Sequence, residues 1–121
     1  MIKISNLEHF NFKFLEYIEV EIIEKGPIIV GYGGKTKINA KIKSNSTGSL
    51  KVNWQKTHSN SNATLMINCF KYCESSRHVN NPVLVINDFG KEDAGIYKLE
   101  VTSSTKTVTS PGILLELYEG K

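Results

Sequence analysis

The stretch from Pro82 to Glu100 constrains the fold more than any other part of the sequence. Apolar residues occur at alternate positions around Leu84 and Ile86, and the alternation stops at a corner rich in charge and glycine. It resumes beyond the corner, where Tyr97 and Leu99 are separated by a charged residue. Because successive side chains of a strand point to opposite faces, this pattern predicts two half-buried strands that share one core and are joined at the corner.

The corner itself has the pattern Asp93-x-Gly95-x-Tyr97. An aspartate side chain can accept hydrogen bonds from backbone N–H groups of a turn. A glycine lets the backbone pass close to a neighbouring ring because it has no Cβ. A buried tyrosine needs a nearby acceptor for its hydroxyl. These residues therefore predict an ordered turn with the Tyr97 ring buried and its hydroxyl bonded locally.

Period-two alternation elsewhere predicts further strands. They are Ile18–Ile22, Ile28–Val30, Lys35–Lys43, Leu50–Trp54, Leu65–Tyr72, Tyr97–Thr102 and Ile113–Leu117. A polar loop is predicted at Thr57–Asn62. The glycine-rich segment Gly31–Gly34 is interpreted as a turn rather than a phosphate-binding loop, because no helix pattern follows it. The sequence is therefore expected to be all-β.

Three features of the sequence together resemble the immunoglobulin superfamily, and within it the I-set kind. They are the fourteen-residue interval from Ala40 to Trp54, the Leu84-x-Ile86 strand, and the Asp93-x-Gly95-x-Tyr97 corner. The resemblance implies an immunoglobulin-like two-sheet β-sandwich with Greek-key connections, in which Trp54 is buried between the sheets and the Tyr97 hydroxyl bonds to the backbone upstream. It covers residues 18–119 as one domain, and residues 1–17 are then an N-terminal extension or arm.

The resemblance also implies which residues form the structural core. They are Ala40, Trp54, Leu84, Ile86, Asp93, Gly95, Tyr97 and Leu99. Ala40 and Leu99 stand where the family has its two bridging cysteines, so this chain lacks that disulfide. Its loss lowers the expected stability by about 2–5 kcal/mol. A missing bridge also favours a reducing compartment, so an intracellular location is favoured over an extracellular one.

Two alternatives remain open for the N-terminal arm. Phe10, Phe12 and Phe14 alternate with polar residues, which favours an extended segment that packs its rings onto the domain. Ser5-x-x-Glu8 has instead the capping-box spacing that begins a helix.

Charge excludes some classes of partner. The formal net charge is only +3 and the basic residues are scattered, which argues against binding to nucleic acid. No apolar run approaches the ~20 residues that cross a membrane, so no membrane insertion by this segment is expected. In the resembled family the first strand lies beside the second, which predicts that Glu19 and Glu21 face the lysines of Lys35–Lys43 across the sheet.

Cysteine and histidine positions give little support for a reactive site. Cys69 and Cys73 would lie roughly 13 Å apart on a regular strand, whereas a disulfide needs Cα atoms within about 7 Å. A tight turn at Lys71–Tyr72 would allow them to pair. A zinc site with His78 lacks a fourth ligand. Since no catalytic pattern is present either, we expect no cofactor, no metal and no catalysis.

Two acceptor sequons for N-glycosylation, at Asn45 and Asn62, lie in predicted loops. Triplets of this kind arise by chance at about this frequency in a chain of this composition. They are candidate glycosylation sites that do not by themselves decide the compartment.

A candidate partner face follows from the outward positions of the predicted strands. Its residues are Met66, Phe70, Tyr72, Ile96, Leu114 and Tyr118. In the resembled family strands C′, C, F and G form one sheet, so these apolar side chains would share one outer surface, of the kind that binds a protein partner or a second copy. The alternatives are that the phenylalanine arm covers part of this surface, or that the strand predicted at Leu65–Tyr72 folds inward.

Three functions are compatible with these features. The first is a non-catalytic protein–protein interaction or scaffold module, one domain of a larger multidomain protein. The second is an extracellular cell-adhesion or immune-recognition domain, and the third is a regulatory domain attached to an enzyme.

Overall fold

The fold is described for residues 16–58, 61–65 and 70–119 of a computed structural model. Nine strands occur in this part of the chain, and no α-helix does. The strands are β1 (Ile18–Ile22), β2 (Ile28–Gly31), β3 (Thr36–Ser44), β4 (Lys51–His58), β5 (Ser61–Thr64), β6 (Val83–Ile86), β7 (Gly95–Thr102), β8 (Thr107–Thr109) and β9 (Ile113–Tyr118). A 3₁₀ turn at Lys91–Asp93 precedes β7. The predicted phenylalanine arm lies outside the described residues.

The strands form two sheets that pack face to face. The first has the order β1-β3-β6 and is antiparallel. The second has the order β2-β9-β7-β4-β5, with β8 also paired to β7. Within it β2 runs parallel to β9, whereas the other neighbours are antiparallel. The predicted all-β architecture with two packed sheets is confirmed.

The core lies between the two sheets and follows the period-two pattern. Trp54 and Leu99 from the second sheet are fully buried, as are Ile38, Leu84 and Ile86 from the first. Ala40 is half-buried and packs against this cluster. Removing a large apolar side chain from water contributes about 1.5–3 kcal/mol, so the alternating apolar residues supply most of the energy that holds the sheets together.

The charged face predicted for the first two strands is confirmed. Glu19 lies directly opposite Lys43, and Glu21 lies directly opposite Lys41, in the antiparallel register of β1 and β3. All four side chains are exposed. Opposite charges across neighbouring strands contribute about 0.2–1 kcal/mol each, which explains the alternating lysines without a ligand.

The turn predicted at Gly31–Gly34 is also present. The Gly34 N–H donates to the Gly31 carbonyl at 2.9 Å, and Gly33 has a φ of 79°, which favours glycine. This turn connects β2 on one sheet to β3 on the other.

The prediction for the segment after β4 is wrong. Residues 57–62 were expected to form a loop, but β4 continues to His58 and pairs with β5 at Ser61–Thr64. The strand expected at Leu65–Tyr72 is absent where the chain is described, at residue 65 and at residues 70–72. Leu65 and Tyr72 pack against the core although neither lies in a strand.

Candidate functional site

The corner before β7 is held by hydrogen bonds to both ends of Asp93. The Tyr97 hydroxyl donates to the Asp93 backbone carbonyl at 2.6 Å, four residues upstream. The Asp93 carboxylate accepts from the Gly90 N–H at 2.9 Å, which closes the 3₁₀ turn. Both side chains are buried. The corner therefore fixes the start of β7 relative to the core.

Gly95 has a conformation that other residues rarely adopt. Its φ is 152°, and a Cβ built there would lie 2.8 Å from the Lys56 side chain. Lys56 crosses this position because its ammonium lies 5.9 Å from the centre of the Tyr97 ring and donates to the Glu92 carbonyl. The glycine thus allows β4 and the corner to approach closely.

Lys71 pairs with the buried aspartate and was not singled out by the sequence. Its ammonium lies 2.7 Å from the Asp93 carboxylate and 2.7 Å from the Asp88 carbonyl. Glu92 lies further away, at 3.9 Å. A single lysine between Phe70 and Tyr72 was the available signal, but nothing local connects it to a carboxylate twenty-two positions later. This ion pair compensates the buried charge and is structural in character.

Two tyrosines near this ion pair have raised pKa values. Burial raises the pKa of Tyr97, and the neighbouring Tyr72, Asp93 and Glu92 act in the same direction. Burial also raises the pKa of Tyr72, with smaller contributions from Asp93 and Glu92. Both hydroxyls therefore resist ionisation, because burial and nearby carboxylates disfavour the tyrosinate form.

We expect the substitution Tyr97→Phe to lower the free energy of unfolding by about 1–2 kcal/mol, because one buried hydrogen bond to the backbone is lost. Urea denaturation at neutral pH measures this. The pKa of Tyr97 is raised in the folded state, so above the unfolded tyrosine pKa of about 10 the hydroxyl ionises more readily in the unfolded chain. Wild type therefore loses stability as the pH rises, and Tyr97→Phe does not. The difference in free energy of unfolding between the two should narrow above that pH. An unchanged midpoint at neutral pH would contradict a structural role for this hydroxyl.

The outer face of the six-stranded sheet carries exposed apolar side chains on three strands. Ile96 on β7 lies directly opposite Leu114 on β9, and both face away from the core. Ile29 on β2 and Tyr118 on β9 lie on the same face. Their exposed fractions are 40% for Ile96, 38% for Leu114, 62% for Ile29 and 61% for Tyr118. We call these four residues the apolar sheet face.

Gly112 shapes part of this surface. A Cβ at Gly112 would lie 2.4 Å from the Ile96 side chain. The absence of a side chain there lets Ile96 lie flat against the chain that enters β9. Lys98 and Glu100 continue outward along β7 and border the apolar sheet face with polar groups.

The six residues predicted for the partner face do not all lie together. Ile96, Leu114 and Tyr118 belong to the apolar sheet face, whereas Met66 lies outside the described residues. Phe70 is exposed but is not part of a strand, and Tyr72 is half-buried against the core beside the corner. The placement of Phe70 and Tyr72 on a strand of this sheet is wrong, because the chain bends there and brings Lys71 to Asp93.

Ile29 belongs to this surface and was missed by the sequence reasoning. The strand at 28–30 was predicted, but its parallel pairing with β9 depends on contacts with residues far along the chain. The available signal was the stretch from Gly26 to Gly34, which carries no charged residue.

The sequence singled out Asn45, Asn62, Cys69 and Cys73 as candidate sites for modification or redox chemistry. Asn45 is exposed just after β3, and its side-chain oxygen accepts from the Tyr17 N–H at 2.9 Å. Asn62 lies in β5 rather than in a loop. Cys73 is a free, exposed thiol, and Cys69 lies outside the described residues.

A depression of about 470 Å³ lies between β1 and the start of β9. Glu24 lines it, but both of its carboxylate oxygens accept hydrogen bonds at 2.7 Å from the backbone and side chain of Asn39. In the part of the chain that the structure describes, no group of three or more His, Cys, Asp or Glu side chains is arranged to hold a metal ion. No helix among the described residues is long and apolar enough to cross a membrane.

No protein-family model matches the chain, and no curated protein matches it either.

Proposed function

We propose that this chain is an immunoglobulin-like domain of the I-set kind that serves as a non-catalytic protein-interaction module in a larger multidomain protein. The order of the strands supports the fold assignment. In the resembled family, strands A, B and E form one sheet, and strands G, F, C and C′ form the other. Here β1, β3 and β6 take the places of A, B and E, and β9, β7, β4 and β5 those of G, F, C and C′.

The corner gives the fold proposal a second argument. A tyrosine that bonds back to the backbone just before strand F is a hallmark of this kind of sandwich. Tyr97 makes this bond to Asp93 at the start of β7. Trp54, on the strand that takes the place of C, is fully buried between the sheets.

The apolar sheet face is the observation that carries the interaction role. Ile29, Ile96, Leu114 and Tyr118 lie on the outer side of one sheet. Glu116 lies directly opposite Ile29 and between Leu114 and Tyr118, and Lys98 and Glu100 follow Ile96 along β7. A mixture of exposed apolar side chains and polar groups is typical of the surfaces through which proteins form non-obligate complexes. The outer side of the other sheet carries paired charges instead, which keep that side hydrated.

We expect the double variant Ile96→Lys/Leu114→Lys to lose binding to the partner protein, because two cations would be placed at the centre of the interface. The matched control is Glu21→Gln/Lys41→Gln, which changes an exposed cross-strand pair on the other sheet. Proteins captured by wild type are identified, purified and titrated by calorimetry against all three chains.

The expected result is that the lysine variant binds at least tenfold more weakly, which corresponds to about 1.4 kcal/mol. The glutamine variant should bind as wild type does. Circular dichroism establishes that both variants are folded. Equal binding by the folded lysine variant would overturn the proposed face.

A second candidate function, an extracellular adhesion or recognition domain, has one observation in its favour. Asn45 of the sequon Asn45-Ser46-Thr47 is exposed at the end of β3, where an attached glycan would project into solvent. A mass shift of the native protein on glycosidase treatment, absent in Asn45→Gln, would favour this function over an intracellular scaffold.

A further inference from the structure

The edges of the two sheets differ in how they are protected. An edge strand has unpaired backbone groups, and proteins usually protect it with charge, with short length or with a covering segment. β1 carries Glu19 and Glu21. β6 is covered by residues 75 and 76, which bond to Val83 and Val85. β8 has three residues and contacts β1, and β5 is short and polar.

β2 is also short, with four residues, and Pro27 precedes it. The whole stretch from Gly26 to Gly34 is nevertheless without charge, and among the described residues β2 pairs only with β9. Ile29 is 62% exposed and Tyr32 is 79% exposed. Gly31 lies directly opposite Tyr118 and leaves that ring uncovered. An apolar, uncharged edge of this kind is suited to pair with another strand.

We propose that β2 pairs antiparallel with β2 of a second copy of this chain, about a two-fold axis, so that the two six-stranded sheets become continuous. This goes beyond the proposed partner face, since it concerns the edge of the sheet and another copy of the same chain. A two-fold axis makes the contact self-complementary and closed. The axis lies near Ile29, so the most exposed side chain of β2 meets its own counterpart.

Charges at the two ends of β2 favour a second copy of the chain as the partner that pairs with this edge. Lys25 is exposed just before β2 begins. Because β9 runs parallel to β2, the exposed Glu119 lies beyond the opposite end of β2. In an antiparallel pair Lys25 of one copy approaches the end where Glu119 of the other copy lies, and the symmetry makes this contact twice. The uncharged segment between them meets no opposing charge.

Sedimentation equilibrium of the full chain over a range of concentrations tests the proposal. Wild type should approach twice the monomer mass as its concentration rises. Ile29→Lys should weaken the dimer at least about tenfold, because two lysines then meet at the axis. The matched control Ile96→Lys places the same charge on the same face two strands further in, and should leave dimerisation unchanged.

A charge exchange tests the antiparallel arrangement separately. Lys25→Glu should weaken the dimer, since it places two glutamates together at each end. Adding Glu119→Lys to that variant should restore it, and high salt should reduce both effects. Failure of the second change to restore dimerisation would overturn the antiparallel register.

Three other outcomes would overturn the proposal. The first is a chain that stays monomeric at every concentration. The second is a dimer that Ile96→Lys weakens as much as Ile29→Lys does, which would indicate that the sheet faces pack together. The third is a dimer that is unaffected by Ile29→Lys but is abolished by the triple variant Phe10→Ser/Phe12→Ser/Phe14→Ser. That result would show that the N-terminal segment, rather than β2, forms the dimer contact. Only the second outcome also involves the apolar sheet face, and it would make that face a site of self-association; the titration with the partner protein is read separately from the dimer mass.

Discussion

Truncation of Trp54 to alanine should lower the free energy of unfolding by about 3–5 kcal/mol, as core aromatic truncations do. Trp54 is fully buried between the sheets, and its indole N–H donates to the Ser76 carbonyl at 3.4 Å. The substitution removes both the apolar contacts of the ring and that hydrogen bond. No disulfide joins β3 to β7 to compensate, because Ala40 and Leu99 are not cysteines.

Urea denaturation monitored by far-ultraviolet circular dichroism measures this loss. Trp54 is the single tryptophan of the chain, so its fluorescence is not available in the variant. Ile23→Ala is the matched control, since it truncates an apolar side chain that is about half exposed and lies outside the core. The control should change stability by less than about 0.5 kcal/mol. A Trp54→Ala variant as stable as that control would contradict the packing of the core.

Replacement of Lys71 by methionine should lower the free energy of unfolding by about 2–4 kcal/mol, as measured by urea denaturation. The Asp93 carboxylate is 4% exposed and would lose its cation, although the Gly90 N–H would still donate to it. Breaking a buried ion pair by removing one partner costs about 3–5 kcal/mol. The lysine side chain is 24% exposed, so water replaces part of the lost interaction and the expected value is lower.

The chain offers a matched control for this prediction. Lys35 forms an ion pair with Glu74 at 2.8 Å, but both side chains are more than half exposed. Lys35→Met should therefore change stability by at most about 1 kcal/mol. Asp93→Asn should lower the free energy of unfolding less when it is introduced into Lys71→Met than when it is introduced into wild type. The reason is that the two residues interact, so the ion pair is already lost in Lys71→Met. Equal effects of Lys71→Met and Lys35→Met would contradict the buried pair.

The sequence predicted those parts of the fold that depend on neighbouring residues. The alternation around Ile86 and Leu99 is a local property, and the strands lie there. The outward faces of β1 and β3 were predicted from the pattern of each strand, whereas their pairing was predicted from the resemblance to a known family. Ile96, Leu114 and Tyr118 were placed outward by the same rule, and they are exposed.

The sequence failed where distant residues determine the structure. Lys71 meets a carboxylate twenty-two positions away, and Tyr72 packs against the core. The alternation from Leu65 to Tyr72 contains no sign of the contact with Asp93, and it was interpreted as a strand. The parallel pairing of β2 with β9 likewise joins segments more than eighty residues apart, so the place of Ile29 on the apolar sheet face had no local signal.

Nuclear magnetic resonance of the isotopically labelled chain, titrated with its purified partner, tests most directly whether the apolar sheet face binds protein. We expect the largest chemical-shift changes at the methyl groups of Ile29, Ile96 and Leu114 and at the ring of Tyr118. The resonances of Glu21 and Lys41, on the charged face of the other sheet, should not change. Shifts concentrated on β1 and β3, with the apolar sheet face unperturbed, would contradict it.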